Sequence, residues 1–255
     1  MAQNKSAMMP VNVSAVSYLN TLPFLHGLKQ SAVAKDIRLS LAPPFRCAEL
    51  LQTNEVDISL TPVAVLPFLE NYHLISDYCL GAVSSVRTVV LLSDTPLEKI
   101  QKIYLDSHSR TSAMLIQILA KQYWKINPKF IPLTDADFPL KSGEGCLLIG
   151  DKVFSHEQHF AYCYDLADAW ISFTGKPFVF AAWVSTKKID EHFLQSFNQA
   201  LEYGVTHIAE AVATEAPTFD SALAVDYLIN NINYLFDKKK CNGLELFLQL
   251  VKEYV

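Results

Sequence analysis

Short apolar runs rich in β-branched residues alternate along this chain with stretches whose apolar positions recur every three to four residues. Runs of the first kind predict buried or half-buried strands, and those of the second predict amphipathic helices. Strands are expected at residues 11–16, 37–41, 56–60, 78–83 and 87–92, with helices at 21–29 and 43–53. Pro23 falls near the start of the first helix, where proline is tolerated. Cys47, Leu50 and Leu51 share one face of the second. The middle of the chain repeats this grammar: a strand at 103–105, a helix at 109–124, and strands at 146–149, 160–164 and 178–184. From Ile189 onward the pattern is helical, over 189–213, 219–236 and 244–251. No internal repeat, heptad run or low-complexity tract is present.

Alternating strand and helix implies an α/β fold of mostly parallel sheets flanked by helices. Ligands in such sheets sit at the carboxyl ends of strands. Five polar segments directly follow a strand: Ser17 to Thr21, Thr61-Pro62, Ser84-Ser85, Asp106 to Ser112, and Gly150-Asp151. They come from distant parts of the chain and converge on the kind of position where a small molecule binds.

The chain has 255 residues, enough for one or two domains. Hydrophobic residues make up 51% and charged residues 18%, which supports a sizeable core and argues against disorder. The formal net charge of −5 disfavours general nucleic-acid binding, which needs a basic face. The one basic run, Lys238-Lys239-Lys240, reads as a solvated loop or helix end. Five cysteines, an odd number without a C-x-x-C pair, give neither a disulfide framework nor a structural zinc site. Reduced, mostly buried thiols fit a cytoplasmic protein. The longest stretch without Lys, Arg, Asp or Glu, residues 6–28, is too polar and broken for a membrane span and makes a poor signal peptide.

Asn20 lies where a strand leads into a helix, so its amide either faces a ligand or caps that helix. Ser84, Ser85 and Arg87 offer two hydroxyls and a guanidinium, a set suited to a carboxylate or to a solvated crossover. Ser109, Arg110, Thr111 and Ser112 open an apolar helix. Free N–H groups and hydroxyls there suit an anion, with more hydroxyls than one cap requires; the alternative is that Ser109 only caps the helix and Arg110 faces solvent. Asp151 follows a buried strand and could bind a substrate hydroxyl or cap the next helix. The carboxylate pairs Asp135/Asp137 and Asp165/Asp168 read as loop and cap positions. His156 and His159 are three apart, not the four of a zincin, and read as an exposed segment. With no G-x-G-x-x-G, P-loop or G-x-S-x-G, nothing calls for nucleotide, flavin or acyl-enzyme chemistry.

The segments SYLNTLPF (from Ser17), AVSSVRTVVL (from Ala82), SRTSAML (from Ser109), LLIGD (from Leu147) and DLADAW…TGKPFVFAAW (from Asp165) together resemble the chorismate dehydratase family. Those enzymes open the futalosine route to menaquinone. The resemblance runs in order over residues 11–251. It implies the two-lobed fold of type II periplasmic binding proteins. One lobe would comprise residues 1–88 with 182–255, the other 89–181. Hinge crossovers would fall near Arg87 to Val89 and Ala181 to Trp183, with the ligand between the lobes. It also implies a cytoplasmic hydro-lyase that turns chorismate into 3-[(1-carboxyvinyl)oxy]benzoate, with no cofactor or metal. The partner is a small dicarboxylate, with no nucleic acid or membrane. By the same carry-over Asn20 and Ser85 are the catalytic candidates. Tyr18, Leu19, Thr21, Thr61, Pro62, Ser84, Arg87, Ser109, Arg110, Thr111, Ser112, Gly150 and Asp151 are candidates for substrate binding. Arg87 stands where many relatives carry an apolar residue.

Three other readings compete. A non-catalytic solute-binding protein of the same fold would need a secretion signal. The dihydroxynaphthoate synthase of the same pathway typically opens with an S-P-C-P-N-D-T-type segment, where this chain has Ser17-Tyr18-Leu19-Asn20-Thr21. A transcription-regulator effector domain would need room for a helix-turn-helix before the sheet.

Overall fold

The computed structural model describes residues 10–106, 110–134, 139–216 and 218–254. Strands β1 (Val11–Val16), β2 (Ile37–Ala42), β3 (Ile58–Pro62), β4 (His73–Ala82), β10 (Phe178–Ser185) and β11 (Asn233–Leu235) form one sheet, in the order β11-β4-β10-β3-β1-β2. The second sheet contains β5 (Val89–Ser93), β6 (Lys102–Leu105), β7 (Lys129–Pro132), β8 (Glu144–Ile149) and β9 (Tyr162–Asp165), in the order β7-β6-β8-β5-β9.

Both sheets are mixed, where mostly parallel ones were expected. Strand β1 pairs in parallel with β2 and β3, and β6 with β7 and β8. The remaining ladders are antiparallel. The reason is the route of the chain. It leaves the first sheet along β4 and returns along β10, and neighbouring outbound and inbound strands must run in opposite senses. The same holds for β5 and β9 in the second sheet. The return crossing lies upstream of Ala181–Trp183, because β10 already pairs with β4 of the first sheet from Phe178.

Helices α1 (Leu22–Gln30), α2 (Pro44–Gln52), α6 (Glu191–Thr206), α7 (Ile208–Glu215), α8 (Ser221–Asn230) and α9 (Lys238–Lys252) belong to the half built on the first sheet. Helices α3 (Arg110–Ile118), α4 (Val153–His156) and α5 (Leu166–Thr174) belong to the other, and α3 runs on into a π turn, Leu119–Tyr123. Every residue of β5 and β8 is buried. In β5, Val89 and Leu91 pack into the main core while Val90 and Leu92 join a smaller cluster with Tyr104, Cys146, Leu148 and Val153. A strand buried on both faces therefore reads as an unbroken apolar run. Helices α1 and α6 touch backbone to backbone: a Cβ at Gly204 would lie 1.7 Å from the Pro23 carbonyl oxygen, so only glycine fits.

Three helical expectations change. The helix expected over 189–213 breaks at His207, whose backbone leaves helical geometry (φ −121, ψ 40). The one expected over 219–236 stops at Asn230, and Asn233–Leu235 pairs with β4 instead. The last helix begins at Lys238, because the Asp237 side chain accepts the Lys240 N–H as an N-cap. The lysine run is thus its first turn. Lys240 is not solvated: it is fully buried, with Nζ donating to the Asn233 side chain and, at 2.6 Å, to the Leu235 carbonyl.

Candidate functional site

A cavity of about 550 Å³, its open mouth included, lies between the two halves. The first half supplies Val16, Tyr18, Asn20, Pro62 and Phe180; the other supplies Val89, Ser112, Ile149 and Gly150. The walls are mostly apolar with a few polar groups, the usual make-up of a small-molecule site. None of the described lining residues is Lys or Arg. Two nearby cations are matched with carboxylates: Arg87 Nη2 lies 2.9 Å from Glu157, and Lys152 pairs with Asp106.

Asn20 sits in the 3-10 turn Leu19–Thr21 at the end of β1. It caps neither that turn nor α1. Its carbonyl accepts the Tyr234 hydroxyl at 3.0 Å, and its side-chain oxygen accepts the Thr21 hydroxyl at 3.3 Å. Leu19 is core, but its N–H crosses the cleft to both Asp151 oxygens, at 3.1 and 3.0 Å. Asp151 is therefore a bridge between halves. Burial pushes its carboxyl above the ordinary value, and the Leu19 N–H acts in the opposite sense. Gly150 has φ +72, and a Cβ there would meet the Tyr18 ring at 3.1 Å. Burial, aided by the Asp106 and Asp151 charges, pushes the Tyr18 phenol up to about 12. It stays protonated at neutral pH.

From the first crossover, Val86, Thr88 and Val89 line the cavity. Ser84 is exposed. Ser85 is half-buried beside them, its hydroxyl donating to Asp165 at 2.8 Å. The same Asp165 oxygen accepts the Arg87 N–H at 2.6 Å, while the other accepts the Ala167 and Asp168 N–H groups and so caps α5. Arg87 has left-handed backbone, φ 64, and its guanidinium lies 5.0 Å from the centre of the Phe154 ring. Its charge is directed to Glu157 and Phe154.

At the start of α3, Arg110 is exposed, and Thr111 accepts the Ala64 N–H across the cleft at 3.2 Å. Ser112 is buried and lines the cavity. Ser109, with Asp135 and Asp137, lies outside the described residues. Thr61 is buried, its hydroxyl bonded to the Ser59 carbonyl at 3.3 Å, and only its neighbour Pro62 reaches the cavity. Burial pushes the thiols of Cys47 and Cys163 up to about 11 and of Cys79 and Cys146 to about 12, so none of these four is a nucleophile at neutral pH.

Sequence reading passed over Thr88, Tyr227 and Tyr234. Thr88 shares the Val86 side of the crossover by simple alternation, a signal that was present. The tyrosines come from α8 and β11 and carry no local mark of their partners.

Among the described residues no group of three or more His, Cys, Asp or Glu could hold a metal ion, and no helix is long and apolar enough to cross a membrane. Structures of similar shape include a protein of Archaeoglobus fulgidus, AF1704, with a TM-score of 0.76 at 12% identity, covering 96% of this chain and 97% of that one. The Candida albicans CA3427 product, described as having the generic periplasmic binding protein fold, has a TM-score of 0.63 at 14% identity, covering 96% and 90%. The two-lobed α/β architecture is thus that of periplasmic binding proteins. In sequence, the chain is 23% identical to the chorismate dehydratase of Thermus thermophilus, over 95% of both chains. A family profile described as menaquinone biosynthesis matches residues 11–253. The chain belongs to this menaquinone biosynthesis family.

Proposed function

We propose that the protein is a chorismate dehydratase, a cytoplasmic hydro-lyase that needs no cofactor. The observation that carries this reading is the cavity between the halves, which sets the Asn20 segment opposite Ser112 and Gly150. Both fit a small dianion, and the family and the Thermus relative fit the chemistry. One substrate carboxylate takes hydrogen bonds from the start of α3, chiefly Ser112. The other lies against Asn20 and the first crossover. Charge-assisted hydrogen bonds of this kind contribute about 1.5–3 kcal/mol each.

The reaction removes a proton from the ring carbon bearing the enolpyruvyl ether, and the neighbouring hydroxyl leaves as water. The ring becomes aromatic, so the enzyme need only orient the substrate and assist the leaving group. The enolpyruvyl carboxylate serves as base, positioned by Asn20. Ser85 turns its hydroxyl from Asp165 toward the departing oxygen when substrate binds.

Incubation with chorismate and mass analysis of the product tests the proposal. Loss of one water with the enolpyruvyl group retained is the expected result; saturable binding without an aromatic product overturns it. That second result would favour a non-catalytic anion-binding protein, the reading suggested by the periplasmic binding protein fold of the Candida protein.

A further inference from the structure

Thr88, in the first crossover, lines the cavity and is almost fully buried. Its backbone is held at both ends. The N–H donates to the Val86 carbonyl at 2.8 Å, and the carbonyl accepts the Gly150 N–H at 2.9 Å. The Thr88 hydroxyl lies 2.6 Å from the hydroxyl of Tyr227, on α8. Tyr227 is fully buried, its ring edge-on to Phe154 at 5.3 Å, and Phe154 in turn meets Phe219 at 6.0 Å. Burial pushes the phenol above its ordinary value, so it keeps its proton. Both oxygens are thus fixed, and which hydroxyl donates decides what the cavity is offered. A phenol is a stronger acid than an aliphatic hydroxyl and is the better donor of the two. Were Thr88 to donate instead, the buried phenol proton would need a second acceptor, and the hydrogen bonds of the described residues join it to Thr88 alone.

We propose that Tyr227 is a positioning residue: its phenol donates to Thr88, and that bond leaves the Thr88 proton for an oxygen of the bound substrate. The proposal rests on the dehydratase reading for the substrate, whose enolpyruvyl carboxylate lies against Asn20 and the crossover. Hydrogen bonds in a chain polarise one another, so Thr88 donates more strongly with Tyr227 behind it. A hydroxyl bonded to a carboxylate makes a charge-assisted bond. The enolpyruvyl carboxylate loses charge as it takes the ring proton, so this bond is no stronger in the transition state than in the bound ground state. Its loss therefore appears in KM rather than kcat.

Thr88→Val keeps the shape and removes the hydroxyl; Tyr227→Phe keeps the ring packing and removes the donor behind it. With chorismate, KM is expected to rise about tenfold or more in Thr88→Val, the loss of one charge-assisted bond. In Tyr227→Phe it should rise about threefold or more, with kcat within about twofold in both variants. In the double variant, Tyr227→Phe adds less than about twofold to Thr88→Val, because its effect runs through the hydroxyl already lost. Thr88→Ser, which retains a hydroxyl, brings the Tyr227→Phe effect back. An unchanged KM in Tyr227→Phe, or the same rise with and without a hydroxyl at position 88, overturns the proposal. Wild-type protein that binds chorismate without turning it over overturns the dehydratase reading instead, and the calorimetric Kd for chorismate then replaces KM in the same cycle. Wild-type protein that does not bind chorismate overturns both.

Discussion

The Leu19 N–H of the first half points at both carboxylate oxygens of Asp151 in the second, across the same cleft that Asn20 and Gly150 line. The Asp151 carboxyl is held above its ordinary value by burial. An acid with a raised folded-state pKa binds its proton more tightly when folded. Its contribution to stability is then full below the unfolded value and is lost as pH rises through the folded one. Asp151→Asn keeps an oxygen for the Leu19 N–H and sheds the buried charge. It should be at least as stable as wild type at about pH 7, with the gap closing as pH falls below about 4. Thermal unfolding over that range is the check, and a variant less stable at neutral pH counts against it.

Asp165 joins Ser85, Arg87 and the first turn of α5 through one carboxylate. Asp165→Ala removes a helix cap, worth about 0.5–2 kcal/mol, and strands the Arg87 N–H. Lower stability should accompany lower chorismate turnover, with Asp165→Asn between the alanine variant and wild type. Denaturant unfolding alongside kinetics separates the two effects.

The cavity wall carries no cation among its described residues. Recognition of a dianion by hydroxyls, amides and backbone N–H groups is short-ranged and little screened. KM for chorismate should therefore change by no more than about threefold between low and moderate salt. A steep, log-linear rise would reveal a cationic contact.

Gly204 faces the Pro23 carbonyl with no room for a methyl group. Gly204→Ala must push α6 off α1, the helix that begins just after Asn20. A loss of about 1–3 kcal/mol or more is expected from overpacking, read as a lower melting temperature. Near wild-type stability would mean that the two helices part more easily than their packing indicates.

How much of this was readable beforehand depended on sequence distance. Strands buried on both faces, such as β5 and β8, announce themselves through apolar runs, here residues 89–92 and 146–149. Asn20 and Gly150 were legible because they directly follow strands. The pairs that define the site's polar groups join residues far apart: Ser85 with Asp165 across 80 positions, Thr88 with Tyr227 across 139, Asn20 with Tyr234 across 214. Contacts of that span leave no periodic trace in either segment. The short strand β11 was hidden for a related reason. Its pairing to β4 decides its conformation, while Ile229, Ile232 and Tyr234 suit a helix locally.

Lys240 secures Asn233 and Leu235, and Tyr234 between them reaches back to the Asn20 carbonyl. The brace for the Asn20 turn is thus completed by a residue synthesised 214 positions after it. Until β11 and the head of α9 have been synthesised, the first sheet lacks its last strand and the Asn20 carbonyl lacks its Tyr234 partner.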